Sequence, residues 1–148
     1  MKQWNSVDEI LRYAIVQEEQ AVEFYTDLAA RMEKPWVRKI FEEYAGEERE
    51  HKRKLLAIKA GKLLQYAARD VLDLKMADYL IDVESDAAMD YQEALILAMK
   101  REKAAFKLYS DLAAASDDPQ VKNTLLGLAQ EEAKHKLRFE LEYDDTIR

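Results

Sequence analysis

The sequence predicts an all-α protein: a four-helix bundle built from two duplicated helical hairpins joined by a long, partly helical crossover. Three observations predict it. The composition favours helix, with three glycines and two prolines in 148 residues, 49% hydrophobic and 36% charged. Apolar residues recur at spacings of three and four, the period of a helix with one buried face. The chain also repeats itself at an offset of 84 positions, with 17 of 49 residues identical between 6–54 and 90–138. Unrelated sequences match at roughly one position in fifteen to twenty, so duplication is the simplest account. The length suits one domain over 1–148 with a substantial core.

The first helix is expected at about 6–31, opened by the capping box Ser6-x-x-Glu9. The second, about 35–60, begins at Pro35, which fits the first position of a helix, although Lys34 before it is a poor cap. Residues 61–89 form the crossover, in which LLQYAARDVLDLKMADYLIDV reads as partly helical. The third helix, about 90–116, opens with Asp90-x-x-Glu93; the fourth, about 119–143, opens with Asp118 as cap and Pro119 behind it. A connection as long as 61–89 can carry the chain along the bundle, so helices two and three need not be antiparallel neighbours.

The apolar seams of these helices are interrupted at matching places. In helix one the seam runs Leu11, Ala14, Ile15, Ala21, Val22, Tyr25 and Leu28, and position 18, where the next seam residue belongs, is Glu18. Helix three repeats this with Leu95, Glu102 and Tyr109. Helix two runs Val37, Phe41, Tyr44, Glu48, His51, Leu55 and Ile58; helix four runs Val121, Leu125, Leu128, Glu132, His135 and Phe139. The chain has two histidines, and each stands three residues after a seam glutamate. Glu47 and Glu131 also repeat but lie on the flank. Glu50 faces Lys134 across the repeat and Glu19 faces Lys103, which removes both from a symmetric set.

The six polar interruptions lie roughly twelve to seventeen residues from their helix starts, so in a bundle they should share one middle layer. Four carboxylates desolvated together repel, and each is expensive to bury. Two divalent cations remove both problems. One glutamate from each of two helices plus Glu-x-x-His from each of the other two is the arrangement of di-iron and di-manganese carboxylate proteins. The predicted metal ligands are therefore Glu18, Glu48, His51, Glu102, Glu132 and His135, which would be catalytic through the metals. Tyr25 and Tyr109 lie two turns beyond Glu18 and Glu102 and are candidates to hydrogen-bond the ligand carboxylates.

Composition narrows the partners. With no cysteine, the chain has no disulfide framework, CxxC redox pair, thiolate zinc site or catalytic thiol. Its 23 basic and 30 acidic side chains give a net charge of −7, which disfavours nucleic acid and anionic membranes. The N-terminus MKQWNSVDEILRY has no uninterrupted apolar stretch, and a cytoplasmic location is expected.

Taken with QEEQAVEFY at 17–25, EEREH at 47–51, KREKAAFKLY at 100–109, EEAKH at 131–135 and DLKMADYLIDV at 73–83, the sequence resembles the rubrerythrin branch of the ferritin-like superfamily over essentially its whole length. The resemblance implies a ferritin-like bundle. By motif, it also implies the same six ligands, with Tyr25 and Tyr109 matching tyrosines near the di-iron site. There are two departures. Rubrerythrins proper end in a rubredoxin-like domain with cysteine-bound iron, which this cysteine-free chain lacks, so an external electron donor such as a rubredoxin-like protein is expected. They also carry a further glutamate one turn after the helix-three ligand, where this chain has Ala105, with Ala21 as its repeat counterpart. The symmetric six-ligand set is closer to ferroxidase sites of bacterioferritin-like proteins.

Three functions are consistent with these features. The first is an oxidoreductase that reduces O2 or H2O2 at two iron ions, with manganese or a mixed pair also compatible with the ligands. The second is a ferroxidase or iron-handling protein, and the third a non-catalytic helical scaffold. A homodimer is expected by resemblance, and Trp4, Trp36 and Tyr79 are candidate exposed aromatics for such a surface, or else caps on the bundle ends.

Overall fold

The computed structural model describes residues 6–61, 79 and 89–147. Among them are four helices and no strand: α1 (Val7–Arg31), α2 (Pro35–Ala60), α3 (Tyr91–Ala115) and α4 (Pro119–Ile147). The chain divides into two compact units, one containing the hairpin α1–α2 and the other the hairpin α3–α4. Each unit thus contains one copy of the internal repeat. Apart from Gly61, Tyr79 and Met89, the predicted crossover 61–89 lies outside the described residues, as does Trp4.

The caps are those the sequence signals. Ser6 Oγ accepts from the Glu9 amide at 3.0 Å, and Asp90 Oδ1 accepts from the Glu93 amide at 2.8 Å. Asp118 Oδ1 accepts from Gln120 N at 2.8 Å and Val121 N at 3.2 Å, satisfying donors that α4 leaves open at its start. Lys34 makes no side-chain cap, so α2 starts on Pro35 alone. The fourth helix continues to Ile147, past the expected end near 143, because no glycine or proline follows to stop it. Thr146 Oγ1 donates to the Glu142 carbonyl at 2.8 Å within this last turn.

Within each hairpin the buried face is wider than a simple seam. In α1–α2 it takes in Ile10, Leu11, Ala14, Ile15, Phe24, Tyr25, Leu28, Phe41, Ala45, Leu55 and Ile58. In α3–α4 it takes in Leu95, Leu97, Ala98, Leu108, Tyr109, Leu112, Leu125, Leu128 and Phe139. Each large side chain here contributes roughly 1.5–3 kcal/mol by leaving water, and this burial holds the helix registers that set the polar positions. Trp36 is exposed, at 65% of its surface, but Tyr79 is not. The expectation of an exposed Tyr79 is corrected: its ring is buried, its hydroxyl donates to Asp111 Oδ2 at 2.8 Å, and Lys107 Nζ lies 5.3 Å from its centroid. A phenol with both a carboxylate acceptor and a cation within reach is better held against α3 than in water. Among the described residues, no helix is long and apolar enough to cross a membrane.

Candidate metal centre

Seven-residue steps along a helix return nearly to the same face, so a polar residue placed on the apolar register is carried inside with its neighbours. Leu11, Glu18 and Tyr25 are such a series in α1, and all three are buried, Glu18 to 2% exposure. In α2 the three-residue step from Glu48 to His51 keeps both on the buried face, at 1% and 0% exposure. The second hairpin repeats the pattern with Glu102, Glu132 and His135, all buried. Glu47 is exposed and Glu131 half-buried, so burial separates the two glutamates of each pair as the seam register does.

The discarded carboxylates are occupied at the surface. Glu19 pairs with Lys52 at 3.2 Å, and Glu50 accepts from Arg53 Nε at 2.9 Å. The hydrogen bond from Arg53 holds the Glu50 carboxyl below its ordinary pKa.

Each buried set is a triad inside one unit. In α1–α2, His51 Nδ1 lies 3.7 Å from Glu18 Oε2 and 3.8 Å from Glu48 Oε2. In α3–α4, His135 Nδ1 lies 3.6 Å from Glu102 Oε1. One donor atom from each of Glu18, Glu48 and His51 falls within 4.8 Å of the others, and the same is true of Glu102, Glu132 and His135. Metal–oxygen and metal–nitrogen bonds of about 2.1 Å place neighbouring ligand atoms about 3.0–3.6 Å apart, so imidazole–carboxylate spacings of 3.6–3.8 Å need close by only a few tenths of an ångström to form a coordination shell.

Charge gives a second test of fit. Two carboxylates and a neutral imidazole carry two negative charges, which one divalent cation cancels. Without a cation each carboxylate faces a desolvation penalty of several kcal/mol beside a like charge. The triads therefore suit a cation of charge two and oxygen–nitrogen preference in each unit.

A family model for rubrerythrin matches residues 9–143. The chain belongs to the rubrerythrin family. No curated protein matches it. Among solved structures, it is similar to a candidate ferritin-like diiron-carboxylate protein from Thermotoga maritima, at 21% identity, with 99% of each chain covered and a TM-score of 0.80. At that identity the likeness speaks for the fold, which is the all-α, ferritin-like four-helix bundle that the repeat and the helical periodicity predict.

Tyr25 and Tyr109 are both buried, at 1% exposure each. Tyr25 packs edge-on against Phe24 and Tyr44, with ring centroids 5.5 Å and 5.9 Å away. The seam reading places Tyr44 in the core without assigning it a role. The signal that distinguishes it was present in the repeat alignment, where Tyr44 faces Leu128.

Proposed function

We propose that the chain is a non-haem dinuclear metal protein that reduces O2 or H2O2 with electrons from an external donor, each triad supplying ligands to one ion. Iron is the metal of this reading, and manganese or a mixed pair would suit the same donors. The observation that carries it is the burial of two matching Glu, Glu, His triads, each two positive charges short of neutrality when its carboxylates are ionised. Family membership supports it, as does the diiron-carboxylate description of the Thermotoga maritima protein.

In this reading Glu18, Glu48 and His51 bind one ion, and Glu102, Glu132 and His135 the other. His51 and His135 turn Nδ1 toward the carboxylates; with an ion bound, Nδ1 would be the ligand atom and the proton would sit on Nε2. Tyr25 and Tyr109 orient ligand carboxylates by hydrogen bonding. The apolar side chains around each triad exclude bulk water and so strengthen ligand–ion attraction. The chemistry supplied by bound iron is two-electron reduction, which with two protons takes H2O2 to two waters.

A metal analysis of freshly purified protein tests the reading. About two ions per chain are expected. Protein without metal that gains no stability when Fe(II) is added would overturn it. Rapid mixing of the Fe(II)-loaded protein with peroxide then tests the redox step, with an oxo-iron absorption change in the near ultraviolet as the expected outcome.

One observation favours a second reading. Ala105 and Ala21 stand where a further glutamate would break the symmetry of the site, so the six-ligand set also suits ferroxidase and iron-handling chemistry. Iron uptake well beyond two ions per chain would select that function. A scaffold without catalysis predicts instead that Glu48→Ala combined with His135→Ala changes neither metal content nor function. A cytoplasmic location and a homodimer complete the proposal, with exposed Trp36 offered as a contact surface.

A further inference from the structure

The two hairpins carry the same triad but differ beside it. In α1–α2, Phe24, Tyr25, Tyr44 and Phe41 form a continuous row of edge-to-face rings. Successive centroids are 5.5, 5.9 and 6.3 Å apart, with interplanar angles of 68°, 65° and 81°. The repeat counterparts are Leu108, Tyr109, Leu128 and Leu125. The second hairpin buries all four of these, so aliphatic side chains fill the equivalent space and packing alone does not call for aromatic ones.

The row has a direction. Tyr25 is buried to 1% exposure, whereas Tyr44 is only partly buried. Tyr44 precedes Glu48 by one turn of α2, about 6 Å along the axis. Two turns further toward the start of α2 stands Trp36, 65% exposed, with Lys34 Nζ 5.8 Å from its ring.

We propose that Tyr44, in ring contact with Tyr25, is a one-electron relay between an external donor and the metal ion held by Glu18, Glu48 and His51. The inference rests on the metal reading above. In the first step H2O2 is the oxidant: of the two electrons that take it to two waters, the bound ion would supply one and Tyr44 the other, and the Tyr44 phenolic proton goes to solvent water. In the second step a one-electron donor reduces the Tyr44 phenoxyl, which takes a proton back from water. The sum is transfer of one electron from the donor to H2O2. Tyr44 rather than Tyr25 is the group oxidised, because proton release from a fully buried phenol strands charge in an apolar interior. In the second hairpin Leu128 stands in the position equivalent to Tyr44.

The full-length chain, loaded anaerobically with Fe(II), mixed with H2O2 without donor and freeze-quenched, is examined by electron paramagnetic resonance beside a metal analysis of the same sample. The expected result is a tyrosyl signal whose hyperfine splitting changes with ring-deuterated tyrosine. Tyr44→Phe loses that signal at unchanged iron content, while Tyr91→Phe, at a tyrosine bonded to Glu142 and outside the triads, retains it. Phenylalanine preserves the ring packing, so the loss does not reflect collapse of the site. Iron-loaded protein with no tyrosyl signal, an undiminished signal in Tyr44→Phe, or loss in Tyr91→Phe instead overturns the relay and leaves the metal reading standing. Wild-type protein that takes up no iron overturns both.

Discussion

At the scale of single residues, the decisive choice is between neighbours that differ by one position. Glu47 and Glu48 have the same chemistry, yet one is exposed and the other is 1% exposed, because a step of one residue turns a helix by about 100°. That choice was legible in the sequence, since Phe41, Glu48 and Leu55 are seven apart and share a face. A buried carboxylate pair without a cation is a liability, which yields two linked predictions. Glu48→Gln should lower bound metal by about half, measured by metal analysis, because the α3–α4 triad keeps its ligands. In metal-free protein the same substitution should stabilise the fold by roughly 1–3 kcal/mol, measured as a shift in urea midpoint at constant slope. In metal-loaded protein the order reverses. A metal-free Glu48→Gln variant no more stable than the wild type would contradict the charge argument.

At the scale of the helices, caps and end contacts set the boundaries. Asp118 accepts two amide hydrogen bonds at the start of α4, so Asp118→Ala should cost about 1 kcal/mol in chemical denaturation. Lys34 caps nothing, and Lys34→Asp should gain a similar amount, reduced by the lost cation–ring contact with Trp36. At the other end of the α3–α4 hairpin, Tyr91 donates to Glu142 at 3.0 Å. Burial, with the Glu142 carboxylate beside it, holds the Tyr91 phenol well above its ordinary pKa. A phenol whose pKa is raised on folding contributes stability that is complete below the unfolded value, about 10, and is lost as pH climbs toward the folded one. Tyr91→Phe should therefore cost about 1 kcal/mol near neutral pH, and its deficit should shrink above pH ~10, read from denaturation midpoints across the alkaline range. The caps were readable from three-residue motifs. The Tyr91–Glu142 bond was not, because its partners are 51 residues apart and nothing local couples them.

At the scale of the whole molecule, metal binding and folding are one equilibrium. A ligand present at a hundred times its dissociation constant stabilises the folded state by about 2.7 kcal/mol per site, so chelation should lower Tm and Fe(II) should restore it in a dose-dependent way. An unchanged Tm across that titration would count against two structural ions. By itself the sequence determined the helices, their caps, the duplication and the face on which six ligand candidates lie, because each depends on spacing along one helix or on comparison of two copies. The tertiary structure alone decided that Tyr79 is buried against Asp111 and Lys107 rather than exposed, that Tyr91 reaches Glu142, and that Tyr25 and Tyr44 meet ring to ring. Those contacts join side chains from different elements, and their existence depends on how two helices pack, which helical periodicity leaves open.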